Sequence, residues 1–131
     1  MKFPINIPTA IKTFEDCYSY QNYFADFVSQ ELNGKSIDKL EDKERVADTK
    51  EYALYGVAEL METLGTMNWK NYRELGIKTD REDLIDELVD VHKFLWGLMA
   101  TWEITPEEFI NQFKKKSVIV EQRWTDEHDS N

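Results

Sequence analysis

Apolar residues recur at the three- and four-residue spacing of an α-helix along most of the chain, and no strand-like alternation is sustained. The first periodic stretch runs from Thr9 to Asn33 and is followed by Gly34, a residue type that commonly ends helices because it accepts a left-handed backbone. A second helical region is predicted from about Ser36 to Leu64, in one or two pieces, and then a loop over Met67–Thr79. Residues 1–8 contain two prolines and are predicted to be an extended lead-in.

Two further helices are predicted from their start signals. The sequences Thr79–Glu82 and Thr105–Glu108 both fit a capping box, in which threonine and glutamate each bond the other's backbone N–H group. We therefore expect helices from about Asp80 to Trp102 and from Pro106 to Trp124, with a frayed polar tail over residues 125–131. The 131 residues are thus predicted to form one domain, an all-α bundle of four or five helices.

Composition supports a folded domain and narrows the range of its partners. Hydrophobic residues make up 41% of the chain and aromatic residues 13%, enough to fold without disulfides or a structural metal. The 26 acidic residues outnumber the 16 basic ones, and the resulting net charge of −10 repels phosphate polymers and anionic membranes. We therefore expect no nucleic-acid polymer and no membrane among its partners. A small phosphorylated ligand is still allowed, because a divalent cation can bridge it to an acidic protein.

The single cysteine and the lack of long apolar runs favour a cytoplasmic protein. Cys17 cannot form an internal disulfide or a multi-thiolate metal site, and its position among aromatic residues is typical of a buried bystander. No stretch approaches the roughly 18 apolar residues of a membrane span. The first eight residues also lack the apolar run of a signal peptide.

Carboxylates interrupt the apolar face of the predicted helix 80–102. At about 100° per residue, the apolar residues of this helix form one broad arc. The arc consists of Leu84, Leu88, Val91, Leu95, Leu98, Met99 and Trp102, with Ile85, Val89 and Trp96 on one flank and Phe94 on the other. Glu87 projects inside this arc, and Asp90 stands at its edge. A carboxylate that faces a core is costly unless its charge is matched, and no basic residue lies three or four positions from Glu87.

A similar pair, Glu59 and Glu62, lies on the preceding helical region. Both point away from its apolar stripe, which comprises Ala53, Leu54, Val57, Leu60, Met61 and Leu64. Either pair alone is typical of a solvated helix face, but two pairs on antiparallel helices can converge, and four clustered carboxylates repel one another. Hard divalent cations, Mg²⁺ or Mn²⁺, offset such repulsion and prefer oxygen ligands. The predicted metal ligands are therefore Glu59, Glu62, Glu87 and Asp90.

The spacing Glu59-x-x-Glu62 followed by Glu87-x-x-Asp90 resembles the E-x-x-E…E-x-x-D signature of the all-α nucleoside triphosphate pyrophosphohydrolases. That superfamily includes MazG-like enzymes, dCTP pyrophosphatases and the dimeric dUTPases, and the resemblance covers roughly residues 46–124. It implies a metal-dependent hydrolase that converts a nucleoside triphosphate into the monophosphate and pyrophosphate. It also implies a carboxylate that accepts the proton of the attacking water, and Glu62 is our choice for this general base.

Further segments resemble the dimeric dUTPases within that superfamily. Residues 69–73, Trp-Lys-Asn-Tyr-Arg, are similar to their W-K-W-W-K segment. This similarity implies that Trp69 stacks on the base, that Lys70 takes part in catalysis at the phosphates and that Arg73 binds substrate. Phe94 matches a substrate-binding phenylalanine that follows their E-x-x-D motif, whereas His92 lies one position early and is expected to be structural.

Two other regions extend the resemblance. Gln21 could stand for the base-contacting glutamine of the family. Residues 116–123 keep the lysine and the arginine of a K-N-x-x-N-x-x-R run, so Lys116 is predicted to bind phosphate and Arg123 to stabilise the leaving group. Serine and valine occupy the asparagine positions of that run, so base and sugar selection are not carried over. Ordinary roles as surface cations remain equally open for Lys70, Arg73, Lys116 and Arg123, and burial in a helix interface is equally open for Trp69.

Three hypotheses follow. The leading one is a Mg²⁺-dependent pyrophosphohydrolase that acts on dUTP. The second keeps this chemistry for a MazG-like enzyme acting on dCTP, on a purine deoxynucleotide or on several nucleotides, and the third is a non-catalytic helical interaction module with carboxylates that only solubilise its surface. In addition, Trp96, Trp102 and Trp124 exceed what one small bundle needs inside, which predicts a homodimer or homotetramer.

Overall fold

A computed structural model describes residues 10–129, which contain four α-helices and one short 3₁₀ helix but no β-strand. Helix α1 spans Phe14–Asn33, the 3₁₀ helix Ile37–Lys39, α2 Asp42–Leu64, α3 Arg81–Thr101 and α4 Pro106–His128. The predicted all-α fold is therefore confirmed, as are the break in the second helical region and the loop before α3. The lead-in predicted for residues 1–8 lies outside the described residues.

The first turn of α4 forms as predicted, whereas its end does not. Thr105 and Glu108 make a reciprocal capping box, and Pro106 occupies the first turn, where a missing N–H costs nothing. At the other end the helix continues to His128, so the prediction of a frayed tail from residue 125 is wrong over residues 125–128. The His128 ring stacks on that of Trp124, with 3.9 Å between centroids, and this contact supports the last turn.

Side-chain caps also move the starts of α1 and α3 from their predicted positions. Thr13 caps α1 through a capping box with Asp16, so this helix begins later than the predicted Thr9. The capping box predicted at Thr79 is wrong, because Asp80 is the cap of α3. The carboxylate of Asp80 accepts hydrogen bonds from the backbone N–H groups of residues 82 and 83, at 2.9 and 3.3 Å, and so satisfies two otherwise unpaired donors.

Helices α2 and α3 form an antiparallel hairpin joined by residues 65–80, and they pack along most of their lengths. Their approach is tight at Gly97, where an added Cβ atom would lie 3.1 Å from the Tyr52 ring. Further along the hairpin, Gly56 faces Phe94, and an added Cβ would meet the Phe94 Cβ at 3.9 Å, an ordinary contact. The helix axes therefore come together over small residues and aromatic rings, and we call this surface the hairpin interface.

Helix α1 and the 3₁₀ helix close one side of the hairpin. A small cluster of buried apolar residues lies there and consists of Ala25, Ile37, Leu40 and Ala100. Beside it, the Arg45 guanidinium donates to the carbonyls of Thr101 and Ile37 and forms an ion pair with Glu103 at 3.3 Å. Arg45 is only 9% exposed, so these bonds satisfy a buried charge and tie the start of α2 to the end of α3.

Most of the apolar faces identified in the sequence are exposed in the single chain. The exposed members of the α2 stripe and the α3 arc are Leu54, Val57, Leu60, Met61, Ile85, Leu88, Val89, Leu95 and Trp102. Helix α4 has no buried residue in its described length, although it carries Phe109, Phe113 and Trp124. Periodicity identifies an apolar face but not the surface that covers it. None of the helices within residues 10–129 has the length and apolar character that a membrane span needs.

Candidate functional site

Three of the four predicted metal ligands meet at the hairpin interface. Glu59 on α2 and Glu87 and Asp90 on α3 each offer a carboxylate oxygen, and these oxygens all lie within 4.8 Å of one another. The antiparallel hairpin is the cause, because residues near the end of α2 face residues near the start of α3. All three side chains are half-buried. We call these three residues the acidic group.

Glu62 lies at the edge of the acidic group and is exposed. It is not one of the three residues whose oxygens lie within 4.8 Å of one another. It is nevertheless a close neighbour, because its charge and hydrogen bonding raise the pKa of both Glu59 and Glu87. The hairpin therefore holds three carboxylates together and leaves the fourth beside them, open to water.

Burial and mutual repulsion make these carboxylates hard to ionise together. Partial burial raises the pKa of Glu59 to about 7, aided by a hydrogen bond with Glu62 and by the charges of Glu62, Asp90 and Glu87. Burial is also the largest cause of the raised pKa of Glu87, followed by the charge of Glu62. The acidic group is therefore stabilised by anything that brings positive charge to it, either a proton or a cation.

Two oxygens of the acidic group lack hydrogen-bond partners. One carboxylate oxygen of Glu59 and one of Glu87 are buried with no donor in reach among residues 10–129. No lysine or arginine of this part of the chain forms an ion pair with either carboxylate. A buried acceptor without a donor is costly, and clustered carboxylate oxygens are the ligands that Mg²⁺ and similar hard cations prefer. The residues present therefore fit a divalent cation.

The loop residues predicted from the dUTPase-like segment lie at the same end of the hairpin as the acidic group. Trp69, Lys70 and Arg73 belong to the loop over residues 65–80, which starts within two helical turns of Glu59. Lys70 Nζ lies 5.4 Å from the centroid of the Trp69 ring and 6.0 Å from that of Tyr72. Within the described chain neither Lys70 nor Arg73 forms an ion pair, so the structure does not bring these residues into contact with the acidic group.

The two predicted phosphate-binding residues of α4 lie apart from the acidic group. Lys116 and Arg123 are both exposed, and α4 packs only weakly on the other helices of its own chain. Lys116 lines a shallow groove along α4 itself, together with Phe113 and Val120. One chain alone therefore does not bring these cations to the carboxylates.

A cavity of about 330 Å³ lies between α1 and the hairpin, and none of the three residues of the acidic group lines it. Phe94, which follows Asp90 by one turn of α3, lines it and contacts the rings of Tyr55 and Tyr52, at 5.5 and 6.3 Å between centroids. Helix α1 contributes Gln21, which is 8% exposed, to the same cavity. Two residues predicted to bind substrate, Gln21 and Phe94, therefore line one cavity.

The residues of α2 that line this cavity were missed by the sequence analysis. They are Asp48, Glu51, Tyr52 and Tyr55. The signal that could have revealed Tyr52 is its spacing with Gly56, Glu59 and Thr63, which places these four residues on one face of the helix. A search for apolar periodicity passes over this face, because three of its four residues are not hydrophobic, and selects the exposed stripe instead.

His92 and Cys17 lie outside both the acidic group and this cavity. The His92 ring donates from Nδ1 to the carbonyl of Leu88 at 2.8 Å and packs near Trp96, with 5.5 Å between ring centroids. Cys17 is half-buried and lines a separate apolar groove between α1 and α3. Both positions agree with the structural roles predicted for these residues.

Comparisons of the chain with models of protein families, with curated proteins and with solved structures found no match.

Proposed function

We propose that this protein is a metal-dependent nucleoside triphosphate pyrophosphohydrolase. The observation that carries the proposal is the acidic group, in which three carboxylates from two helices lie within 4.8 Å and two of their oxygens are buried without a partner. Such a group fits a divalent cation, and a divalent cation is what an acidic protein needs to bind a triphosphate. The cavity lined by Tyr55 and Phe94, which lie one helical turn from Glu59 and Asp90, offers room for the nucleoside.

The carboxylates divide into two roles in this proposal. Glu59, Glu87 and Asp90 would hold the cation, with Mg²⁺ as the proposed ion and Mn²⁺ as a substitute. A bound divalent cation neutralises phosphate charge and makes a water molecule more acidic. Glu62, exposed beside the acidic group, accepts the proton of the attacking water. The bond between the α- and β-phosphates breaks, and the products are the nucleoside monophosphate and pyrophosphate.

Positive charge for the departing pyrophosphate would come from two places. Lys70 and Arg73 belong to the loop at the same end of the hairpin as the acidic group, with Trp69 beside them. Lys116 and Arg123 are on α4, which lies apart from the hairpin of its own chain, so we propose that they serve a site in a second copy of the protein.

A homo-oligomer is supported by the exposed apolar faces. On α2, Leu54, Val57 and Met61 are each more than half exposed, at 57%, 57% and 53%, and they recur at the spacing of a helix–helix contact. On α4, Phe113 is 63% and Trp124 61% exposed. Apolar patches of this kind mark interaction sites, and a stripe along one helix can pair with its own copy across a two-fold axis. We propose a homodimer or homotetramer.

The decisive experiment is a pyrophosphate-release assay over all common deoxynucleoside and ribonucleoside triphosphates, with Mg²⁺, with Mn²⁺ and with excess EDTA. We expect cation-dependent release with at least one deoxynucleotide, and dUTP and dCTP are the substrates proposed first. EDTA should abolish the release. Absence of release from every nucleotide, combined with no thermal stabilisation by Mg²⁺, would refute the proposal and leave the non-catalytic interaction module.

A further inference from the structure

Helices α1 and α3 form an apolar groove between them. Its larger part has a volume of about 410 Å³ and is lined mainly by apolar side chains, among them Ile85, Leu88, Val89 and Trp96 of α3. A smaller part of about 200 Å³ continues it, because Phe14 and Trp96 line both parts. No lining residue belongs to α2 or to the acidic group. We call the two parts together the α1–α3 groove.

Helix α4 begins at one end of this groove and then leaves it. Phe109 and Ile110, in the first two turns of α4, line the smaller part of the groove. Beyond Ile110 every residue of the described α4 is exposed except Ser117, which is half-buried. The helix is continuous to His128. Its later turns therefore reach the groove of the same chain only if the helix breaks or its first turns detach.

The exposed part of α4 carries an apolar stripe that the described part of its own chain leaves largely uncovered. The residues of this α4 stripe recur at intervals of four, three and four, so they lie on one face, and they are Phe113, Ser117, Val120 and Trp124. The small Ser117 leaves a shallow depression between its neighbours. The stripe extends over as many residues of α4 as the larger part of the groove does of α3, from Ile85 to Trp96. Both are about 17 Å long, so the stripe and the groove match in length.

The charges beside the stripe and the groove are complementary. Residues 114–116 of α4 are consecutive lysines in a chain of net charge −10, and none of them forms an ion pair within residues 10–129. The rim of the groove is acidic, because Glu15 of α1 lines its smaller part and Glu82 lies on α3 one turn before its larger part. Conversely, Lys93 lines the groove and Glu121 borders the stripe. An α4 helix that docks in the groove thus meets charges opposite to its own.

We propose that two copies of the protein exchange their α4 helices, so that the α4 stripe of each copy docks in the α1–α3 groove of the other. A single two-fold axis then covers both grooves and both stripes. The inference rests on the homo-oligomer of the proposed function and assigns the surface that forms it, but it does not require hydrolase activity. The apolar stripe of α2 lies outside this groove and stays available for a second contact, as a tetramer requires.

The single native cysteine allows a direct test by disulfide cross-linking, because Cys17 lines the groove. One chain keeps Cys17 and carries a mass tag. The other chain carries Cys17→Ser and one substitution on the α4 stripe: Phe113→Cys, Ser117→Cys, Val120→Cys or Trp124→Cys. The two chains are co-expressed and mildly oxidised. Because a disulfide needs Cα atoms within about 7 Å, we expect at least one stripe position to give at least about tenfold more mixed dimer than Gln122→Cys, on the opposite face of α4.

The other outcomes of this experiment each overturn the inference. If no stripe position exceeds Gln122→Cys in a protein that sedimentation shows to be oligomeric, the assembly uses another surface, and the proposed homo-oligomer and hydrolase are left intact. A monomeric protein contradicts the homo-oligomer as well, while pyrophosphate release still tests the hydrolase separately. In chains that keep Cys17, a disulfide within one chain to Val120→Cys or to Ile5→Cys assigns the groove to the chain's own α4 or to its first nine residues.

Single charges placed on either surface give an independent test. Val89→Glu lies in the groove and Val120→Glu on the α4 stripe, and both valines are exposed in the single chain, so neither change should prevent folding. Each change buries a carboxylate twice in the exchanged dimer, and we expect the dimer dissociation constant to rise by at least about 100-fold. Gln122→Glu adds the same charge to the opposite face of α4 and should leave the constant unchanged. A wild-type dissociation constant in both valine variants, with native helical content, contradicts the exchange.

Discussion

The hairpin interface and helix α4 differ in how each satisfies its side chains. At the hairpin interface, three carboxylates are half-buried between two helices, and one oxygen of Glu59 and one of Glu87 lack hydrogen-bond partners. On α4, Phe109, Phe113 and Trp124 are exposed to solvent, and no residue of its described length is buried. Carboxylates are thus partly buried at the hairpin interface, where they lose hydration. Apolar side chains are exposed on α4, where they gain no free energy from burial. Each region is incomplete, and the two call for different additions: positive charge in the first, another apolar surface in the second.

Different physical forces organise the hairpin interface and helix α4. At its acidic end, the hairpin interface holds three carboxylates whose oxygens lie within 4.8 Å of one another, an arrangement that burial of apolar area does not explain. Destabilised carboxylates at one place in an otherwise ordinary helical hairpin are typical of a binding site, where stability is given up for function. Helix α4 shows no such cluster and is typical of an interaction surface.

The largest expected effect comes from removing one carboxylate of the acidic end of the hairpin. Under the proposed function, Glu87→Gln and Glu62→Gln should each lower the rate of pyrophosphate release by about 1,000-fold, since the first variant would lose a proposed cation ligand and the second the proposed proton acceptor. Steady-state kinetics with Mg²⁺ would measure this loss, and circular dichroism should show unchanged helical content. Asp86→Asn, at an exposed position next to Glu87, is the control and should retain activity. Wild-type rates in either variant would remove that residue from the mechanism.

A single substitution can also disrupt the exposed apolar stripe of α2. Val57→Glu places a charge in the middle of this stripe, and in a symmetric dimer the change occurs twice, so we expect self-association to weaken by at least about 100-fold. Sedimentation equilibrium over a range of concentrations would measure the dissociation constant. Thr79→Glu adds the same charge to the exposed loop and should leave assembly unchanged. An unaltered dissociation constant in the Val57 variant would contradict a role for this stripe in assembly.

The two glycines of the hairpin interface should respond with opposite signs. Gly97→Ala sets a methyl group 3.1 Å from the Tyr52 ring, and we expect it to lower the free energy of unfolding by about 1–3 kcal/mol. Gly56→Ala meets only an ordinary contact with Phe94, so the gain in helix propensity should raise that free energy by up to about 1 kcal/mol. Urea denaturation would measure both. Equal effects of the two substitutions would argue against the close approach at Gly97.

The smallest expected effect is a dependence of stability on pH. Because the pKa of Glu59 is raised to about 7 in the folded protein from an ordinary value of 4.5, the folded state binds more protons than the unfolded state between these values. The melting temperature should therefore fall as pH rises from about 5 to about 7.5, and Glu59→Gln should reduce this decrease. Addition of Mg²⁺ at pH 7.5 should restore the wild-type melting temperature but not that of the variant. A wild-type profile as flat as that of Glu59→Gln would contradict the burial of this carboxylate.

Helix positions were predictable because the signals that set them are local. The Thr105–Glu108 capping box and the left-handed Gly34, with φ of 71°, each depend on residues close in sequence. Competing caps were harder to separate: Thr79 and Asp80 are adjacent, and the carboxylate is the one that reaches two backbone donors. The existence of helices was thus better determined than their ends.

The site was predictable only in part, since its residues come from a helix face that apolar periodicity does not detect. The four carboxylates stood out because Glu87 interrupts an apolar arc without a basic neighbour. The roles of Tyr52 and Asp48 depend on which face of α2 meets α3, and that choice is made by packing at Gly97, not by the hydrophobic stripe. The positions of Lys116 and Arg123 relative to the acidic group depend on contacts beyond a single chain, which spacing along one sequence does not encode.

The direct connection of α2 to α3 through residues 65–80 has a consequence for the order in which the molecule folds. All three members of the acidic group lie on one helical hairpin, and only residues 65–80 must close to bring the two helices together. Contacts between elements that are adjacent in sequence form with little loss of chain entropy, so this hairpin is favoured to assemble before α1 docks on it. The carboxylates of the acidic group then repel one another early in folding, before the native state is complete. A divalent cation that relieves this repulsion should therefore accelerate refolding as well as stabilise the finished protein.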